Sequence, residues 1–435
     1  MNLKNLNDLI KPISFGQAGS SLLGEASPTE LSIVSDNQID RARALAVHAL
    51  SLQGDVEHPL MFMDMAKVLV QFERWRKCLP AVEPYYAVKC NPDPVLVAYL
   101  QSLGANFDCA TSAEIDLVVN QLGHNPDKVI YSNPCKLGSH LRFARESGVR
   151  LTIIDNMDEI PKIKRNHPNA QVLIRLACAD SSSQCPMSCK FGVPNDLVEQ
   201  TLSYAMEHQL EVVGVHFHVG SGCSDPTVYH KALLDARRAF DIGSEIGHSM
   251  TILDLGGGFP GLGLDGSCKT SNGVHFEEMA KVINSLLTQL FPQDPANPVR
   301  IMAEPGRFMC AGSAFLLTKI HSKCLRSDGD NKRAVRYYLN DGLYGCFNCV
   351  LYDHQTVRPE TLDHRDSQGS REELTATIFG PTCDGFDKII DGVDHLPELN
   401  IDDRLIWMNM GAYTTAASTT FNGFPQAKYF YYKTV

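Results

Sequence analysis

From about Met61 to Ile301 the chain alternates short continuous apolar runs with segments whose apolar positions recur at helical spacing. The runs Tyr86-Ala87-Val88, Val129-Ile130-Tyr131, Leu151-Thr152-Ile153-Ile154, Val172-Leu173-Ile174-Arg175, Val212 to His218, Ile252 to Leu255 and Arg300 to Glu304 predict strands, roughly 20 to 40 residues apart. Between them the spacing predicts amphipathic helices such as Ala113 to Leu122 and Tyr229 to Ile246. Strands of this kind, alternating with helices, belong to a parallel sheet buried on both faces. About eight such units in roughly 240 residues fit a (β/α)8 TIM-like barrel better than an open doubly wound sheet.

The texture differs at both ends. Residues 1 to about 57 read as a polar lead-in with a strand-like Leu31-Ser32-Ile33-Val34 and a helix-like Ile39 to Leu52. After about Phe315 the runs Val335 to Leu339, Leu374 to Phe379 and Arg404 to Met408 predict a mainly β domain. The polar stretches Ala179 to Ser188, Ser322 to Arg333 and Pro359 to Glu373 are expected to be mobile loops. We expect an α/β protein with the barrel at 61–312 and the β domain at 313–435.

Composition narrows the class. A chain of 435 residues, 44% hydrophobic and 20% charged, is ordinary for a globular protein of two or three domains. A net charge of -11 with no Lys/Arg-rich run argues against a nucleic-acid partner. The N-terminal Met1 to Asn7 lacks a signal-peptide core, and no apolar run approaches the ~20 residues that span a bilayer. The 14 cysteines are scattered, and the one CxxC, Cys346 to Cys349, has no second half, so no metal site is expected. Reduced thiols in a cytoplasmic enzyme are the expectation.

Chemistry should collect at the C-terminal ends of barrel strands. Lys89 ends one strand, Asp108 follows another, and Arg175, His216 and His218 end two more. Gly256-Gly257-Gly258 follow Asp254-Leu255, and Glu304-Pro305-Gly306-Arg307 follow Ile301-Met302-Ala303. Each has a bland reading. Lys89 is either a solvated lysine at the barrel mouth or a Schiff-base lysine whose amine attacks a carbonyl. The glycine triplet is either a tight turn or a cradle whose N–H groups approach a phosphate, with Arg307 beside it. His218 is either a core histidine or a ring stacked on a cofactor. An aldehyde-accepting lysine, a phosphate cradle and a carboxylate, Glu304, for a protonated ring nitrogen together specify pyridoxal 5'-phosphate. In the β domain, Gly380 to Asp387 reads as a loop presenting Cys383 and Asp384, and Leu351 to His354 and Gly411 to Thr414 are further polar-tipped loops.

Tyr85 to Asn91, Phe107 to Ala110, His218 to Cys223, Asp254 to Gly261, Ala303 to Arg307, Gly380 to Asp387 and Met410 to Phe424 resemble, in order and spacing, the eukaryotic ornithine decarboxylases. These belong to the alanine-racemase-like, fold type III pyridoxal-phosphate decarboxylases. The resemblance, over about residues 60 to 425, implies that the β domain also includes the N-terminal segment 1–60. It implies decarboxylation of ornithine to putrescine, in a head-to-tail homodimer with active sites at the interface. Lys89 would be the Schiff-base lysine, His218 the stacked ring and Glu304 the partner of the pyridine nitrogen. Ser221, Gly256, Gly257, Gly258, Arg307 and Tyr413 would hold the phosphate, with Asp108, Glu114 and Arg175 around the cofactor. Tyr352, Asp353 and the other subunit's Asp384 would meet the substrate. Cys383, also from across the interface, would protonate the product. Tyr344 would line the interface, and Lys190 would pair across it with Asp387.

Rivals remain. Asp384-Gly385 stands where diaminopimelate decarboxylases carry a glutamate-serine pair. Lysine differs from ornithine by one methylene, a difference worth about 1–3 kcal/mol in a pocket. A non-catalytic regulator like antizyme inhibitor shares the fold without the cofactor-binding features, and antizyme is a partner that the resemblance implies. Ending at Val435, the chain is expected to lack the degradation-promoting tail of vertebrate members.

Overall fold

The computed structural model describes residues 29–31, 37–53, 56–178, 180, 183–263, 265–327, 333–363, 374–394 and 396–434. Eight parallel strands close a barrel: β1 (Val82–Ala87), β2 (Asn106–Cys109), β3 (Val129–Tyr131), β4 (Leu151–Ile154), β5 (Gln171–Leu176), β6 (Glu211–Phe217), β7 (Ile252–Asp254) and β8 (Arg300–Ala303). β8 closes onto β1 through Ile301–Val82 and Ala303–Pro84. Side chains from most of the strands, including Tyr85, Ile130, Leu173, Val213, Ile252 and Met302, pack the interior, so the barrel is a core and not a pore.

The outer layer follows from amphipathicity. The helix Val228–Ile246 buries Tyr229, Leu233, Ala236 and Phe240 on one stripe. The helix Met65–Cys78 turns Trp75 inward, against Phe259 at 4.7 Å and Phe308 at 5.3 Å between ring centroids. Those two phenylalanines follow the glycine triplet and Arg307 in sequence. One buried indole therefore braces both loops of the future site.

The second layer is a nine-stranded sheet. Its long strand Ala314–Ser327 pairs with Leu60–Asp64, Arg333–Leu339 and Arg404–Trp407. The C-terminal strand Lys428–Thr434 lies parallel between Thr29–Leu31 and Leu60–Asp64. The helix Gln38–Gln53 packs Leu45, Ala46 and Ala49 against Phe62, Phe315 and Leu317 of this sheet. The described residues of the N-terminal segment thus sit with the C-terminal strands, and Leu60–Asp64, which straddles the expected boundary, pairs there too.

Some expectations require correction. Ser322 to Ser327 is strand, because it continues the pairing with Arg333–Leu339; residues 328–332 lie outside the described ones. Pro359–Thr361, the start of the expected loop 359–373, is strand and pairs with Arg404–Trp407; residues 364–373 lie outside the described ones. Ser183–Cys185, within the expected loop 179–188, pairs antiparallel with Ser221–Cys223 and forms a small ribbon at the barrel mouth. The helix expected from Ala113 to Leu122 is present, but only Ser112–Ile115 is α-helical and its second part, Asp116–Gln121, is wound as a π-helix. Ser32 to Val34 lie outside the described residues.

Candidate active site

Lys89 does not end a strand but occupies a single 3₁₀ turn, Val88–Cys90, directly after β1. That turn is stitched to the second sheet's loops. Tyr413 N–H donates to the Cys90 carbonyl at 2.8 Å, Asn91 Nδ2 to the Gly411 carbonyl at 2.9 Å, and Tyr431 Oη to Asp93 at 2.6 Å. Lys89 Nζ donates to Asp108 Oδ2 at 2.6 Å. Asp108, buried in β2, also accepts from Ser132 Oγ. Burial pulls the lysine pKa down, but the carboxylates of Asp108 and Glu304 reverse this and leave it above its ordinary value. Glu114 caps its own helical turn by accepting from Ala110 N–H at 2.7 Å, and burial pushes its pKa up to about 7.

Glu304 emerges from β8 and is buried. Its Oε2 lies 3.3 Å from His216 Nε2, whereas its Oε1 has no partner among the described residues. Burial raises its pKa, against the pull of Lys89 and Arg175. His218 Nδ1 accepts from Gly220 N–H at 2.9 Å, so its proton sits on Nε2; burial and Arg175 hold the ring neutral. Arg175, at the end of β5, lies over the Phe191 ring at 5.0 Å.

The glycine triplet is there for space. At Gly256 (φ +62°) a Cβ would lie 2.3 Å from the Phe217 carbonyl, and at Gly258 (φ +109°) 2.6 Å from that of Gly220. Arg307 follows the triplet in space, donating from Nη2 to Ser221 Oγ at 3.2 Å and lying 5.1 Å from the Tyr413 ring centroid. Its other partner is Asp353, bound through both guanidinium arms, with Nη1–Oδ2 at 2.8 Å. Lys89, His218, Ser221, Gly257, Gly258, Glu304, Arg307 and Tyr413 together line one cleft.

Apart from Tyr413 and Asp353, the expected β-domain residues lie elsewhere. Cys383 is exposed, and Tyr344 Oη donates to Asp384 while its ring stacks on Phe421 at 4.4 Å. Neither Cys383, Asp384 nor Tyr344 lines the Lys89 cleft. Tyr352 is 71% exposed. Asp387 is buried within its own chain, accepting from Leu343 N–H, Thr382 N–H and Thr382 Oγ1 at 2.7, 3.1 and 2.7 Å. Lys190 Nζ sits over Phe191 at 5.0 Å. The structure also brings in Asp254 and His216, which carried the same strand-end signal in the sequence but were not placed in the expected site.

A parallel barrel whose mouth joins a lysine, a glycine-lined anion cradle and a half-satisfied buried carboxylate defines the class of enzymes that hold a phosphorylated carbonyl cofactor. The family described as pyridoxal-dependent decarboxylase, pyridoxal binding domain, matches residues 65–311, and this chain belongs to it. Over 377 residues it is 42% identical to ornithine decarboxylase of Rattus norvegicus, covering 85% of this chain and 79% of that protein. Over 375 residues it is 41% identical to antizyme inhibitor 2 of Xenopus laevis, with the same coverage. Among solved structures it is similar to the Paramecium bursaria Chlorella virus arginine decarboxylase bound to agmatine (TM-score 0.81, 34% identity, 90% of this chain and 100% of that one).

The cofactor of this family, pyridoxal 5'-phosphate, fits the residues present. The free Oε1 of Glu304 is a buried acceptor awaiting a donor, as a protonated ring nitrogen supplies. The space that side chains at the triplet would fill is kept open beside Arg307 and Ser221.

Proposed function

We propose that this protein decarboxylates L-ornithine to putrescine and CO2. The observation that carries the reading is the single cleft that gathers Lys89, Glu304 and the Gly257–Gly258–Arg307 cradle. Bound there, the cofactor supplies an electron sink for the pair left behind when CO2 departs.

Each residue's part follows from its surroundings. Lys89 would be the attachment point and is held in place by Asp108. Glu304 would keep the ring nitrogen protonated by offering a carboxylate in a water-poor setting. His218 would pack against the ring, and Ser221, Gly256 to Gly258, Arg307 and Tyr413 would hold the phosphate. Asp108, Glu114 and Arg175 fix the polar surroundings. Asp353 and Asp384 would select a cationic tail by charge, with Tyr352 beside the substrate. Cys383, exposed on its loop, protonates the product carbon.

Because Cys383, Asp384 and Tyr344 lie off the Lys89 cleft, we propose a homodimer in which each chain completes its partner's site, with Lys190 and Asp387 at the interface. We place the barrel at 61–312 and the β domain at 313–435 plus 1–60. All 14 cysteines carry free thiols, which suits the cytoplasm. Among the described residues, no helix is long and apolar enough to cross a membrane. Antizyme is a candidate partner.

The test is CO2 release from ornithine, lysine, arginine and diaminopimelate side by side, with borohydride fixation of the cofactor in wild type and Lys89→Ala. Ornithine should be preferred, and Lys89→Ala should lose both turnover and fixation. Preference for another substrate refutes the specificity; no release from any refutes the enzyme and favours the antizyme-inhibitor reading.

A further inference from the structure

Behind Glu304 the barrel mouth holds two buried polar side chains that the scheme above leaves idle. His216, Asp254 and Glu304 come from the three adjacent strands β6, β7 and β8 or their ends. Asp254 is in register with His216 on one side and with Met302, two residues before Glu304, on the other. Asp254 and His216 are fully buried and Glu304 nearly so, and their donor and acceptor atoms lie within 4.8 Å of one another.

Asp254 Oδ1 accepts from Gly256 N–H at 2.9 Å, while Oδ2 makes no hydrogen bond among the described residues. The Asp254 and Glu304 carboxyl groups instead lie side by side in the buried cluster, with ligand atoms within 4.8 Å of each other. Two carboxyls buried this close do not both stay charged, so one carries a proton. Their neighbours decide which. Glu304 faces Lys89 and Arg175, which favour its anion. Asp254 faces Glu304, Asp108 and the Tyr85 hydroxyl; burial and those carboxylates push its pKa well up. Burial and Arg175 keep His216 neutral, and its Nδ1 has no partner, so its proton sits on Nε2, toward Glu304.

We infer that Asp254 and His216 are positioning residues that both donate a hydrogen bond to Glu304, holding it ionised so that the shared proton stays on the cofactor's ring nitrogen. A carboxylate that accepts additional hydrogen bonds is a weaker base. The two donors thus bias the proton between Glu304 and the ring toward the ring, and the strength of the electron sink is set one layer behind the cofactor. The inference rests on the reading that Glu304 faces that nitrogen.

Asp254→Ala, which removes the donor, should lower kcat at least about tenfold with little change in KM and move the acidic limb of the kcat–pH profile up by about one unit. Asp254→Asn keeps an N–H donor and should restore most of both. Independently of turnover, the infrared spectrum of the wild-type holoenzyme at pH 8 should contain a protonated-carboxyl band that is missing in Asp254→Asn. If Asp254→Ala does not fold, the band and the asparagine variant decide. The inference is overturned if no such band is lost, if asparagine and alanine lower kcat equally without moving the pH limb, or if the purified protein holds a stoichiometric divalent ion in place of the proton. Failure of the functional reading shows separately, as wild-type protein that releases no CO2.

Discussion

Gly258→Ala offers a direct measure of how tightly the cradle is built. At this position φ is +109°, and a Cβ would sit 2.6 Å from the Gly220 carbonyl oxygen. Carbon-to-oxygen contacts close to about 3.3 Å, so one loop must retreat by about 0.7 Å. Overpacking of this kind and a non-glycine residue in that backbone region each cost about 1–3 kcal/mol, together about 2–6 kcal/mol. The loop relieves the strain by moving, and moving takes its N–H groups off the phosphate. At the lower bound of about 2 kcal/mol, the dissociation constant for pyridoxal 5'-phosphate should rise about 30-fold. Equilibrium dialysis reads this, with urea denaturation alongside to account for strain retained in the fold. Gly266→Ala is the control: it shares a positive φ, +73°, but its Cβ would meet nothing within 4 Å. Cofactor affinity within threefold of wild type in Gly258→Ala, with an unchanged urea midpoint, would refute the reasoning.

Two further outcomes are expected. Mixing inactive Lys89→Ala with inactive Cys383→Ala protein should recover part of the activity through mixed dimers; no recovery after verified subunit exchange rules out a shared site. Glu114 titrates near 7 in the fold against an ordinary value of 4.5, so over that interval the folded chain binds more protons than the unfolded one and stability falls as pH rises. Glu114→Gln removes this titration, so wild type should lose stability relative to the variant between about pH 4.5 and 7; urea midpoints that move in parallel across the interval contradict the assignment.

Much of the site was legible because a barrel turns a local rule into a global one. A polar residue at the end of an apolar strand must face the mouth, so Asp108, Arg175, His218 and Glu304 announced themselves one strand at a time. Other features could not be read that way. Lys89 looked like a strand end, but hydrogen bonds from Tyr413 and Asn91, the former more than 300 residues away, wind it into a 3₁₀ turn. Asp353 looked like a lone acid on a loop and is bound to Arg307. Asp387 looked like an isolated loop acid and accepts hydrogen bonds from the backbone at Leu343, far away in sequence, and at Thr382. The stretch from Ser322 to Ser327 read as loop because its polar residues hid a pairing that only the neighbouring strand reveals.

The sequence by itself determined the strand–helix alternation, the barrel and the residue types at its mouth, since hydrophobic period and chain punctuation are local properties. Only the tertiary structure decided which of those residues meet. Proton placement is the clearest instance: whether Glu304 or Asp254 is charged depends on Lys89, Arg175 and Asp108, which lie on other strands, and Coulomb energy in a buried site depends on distance in space.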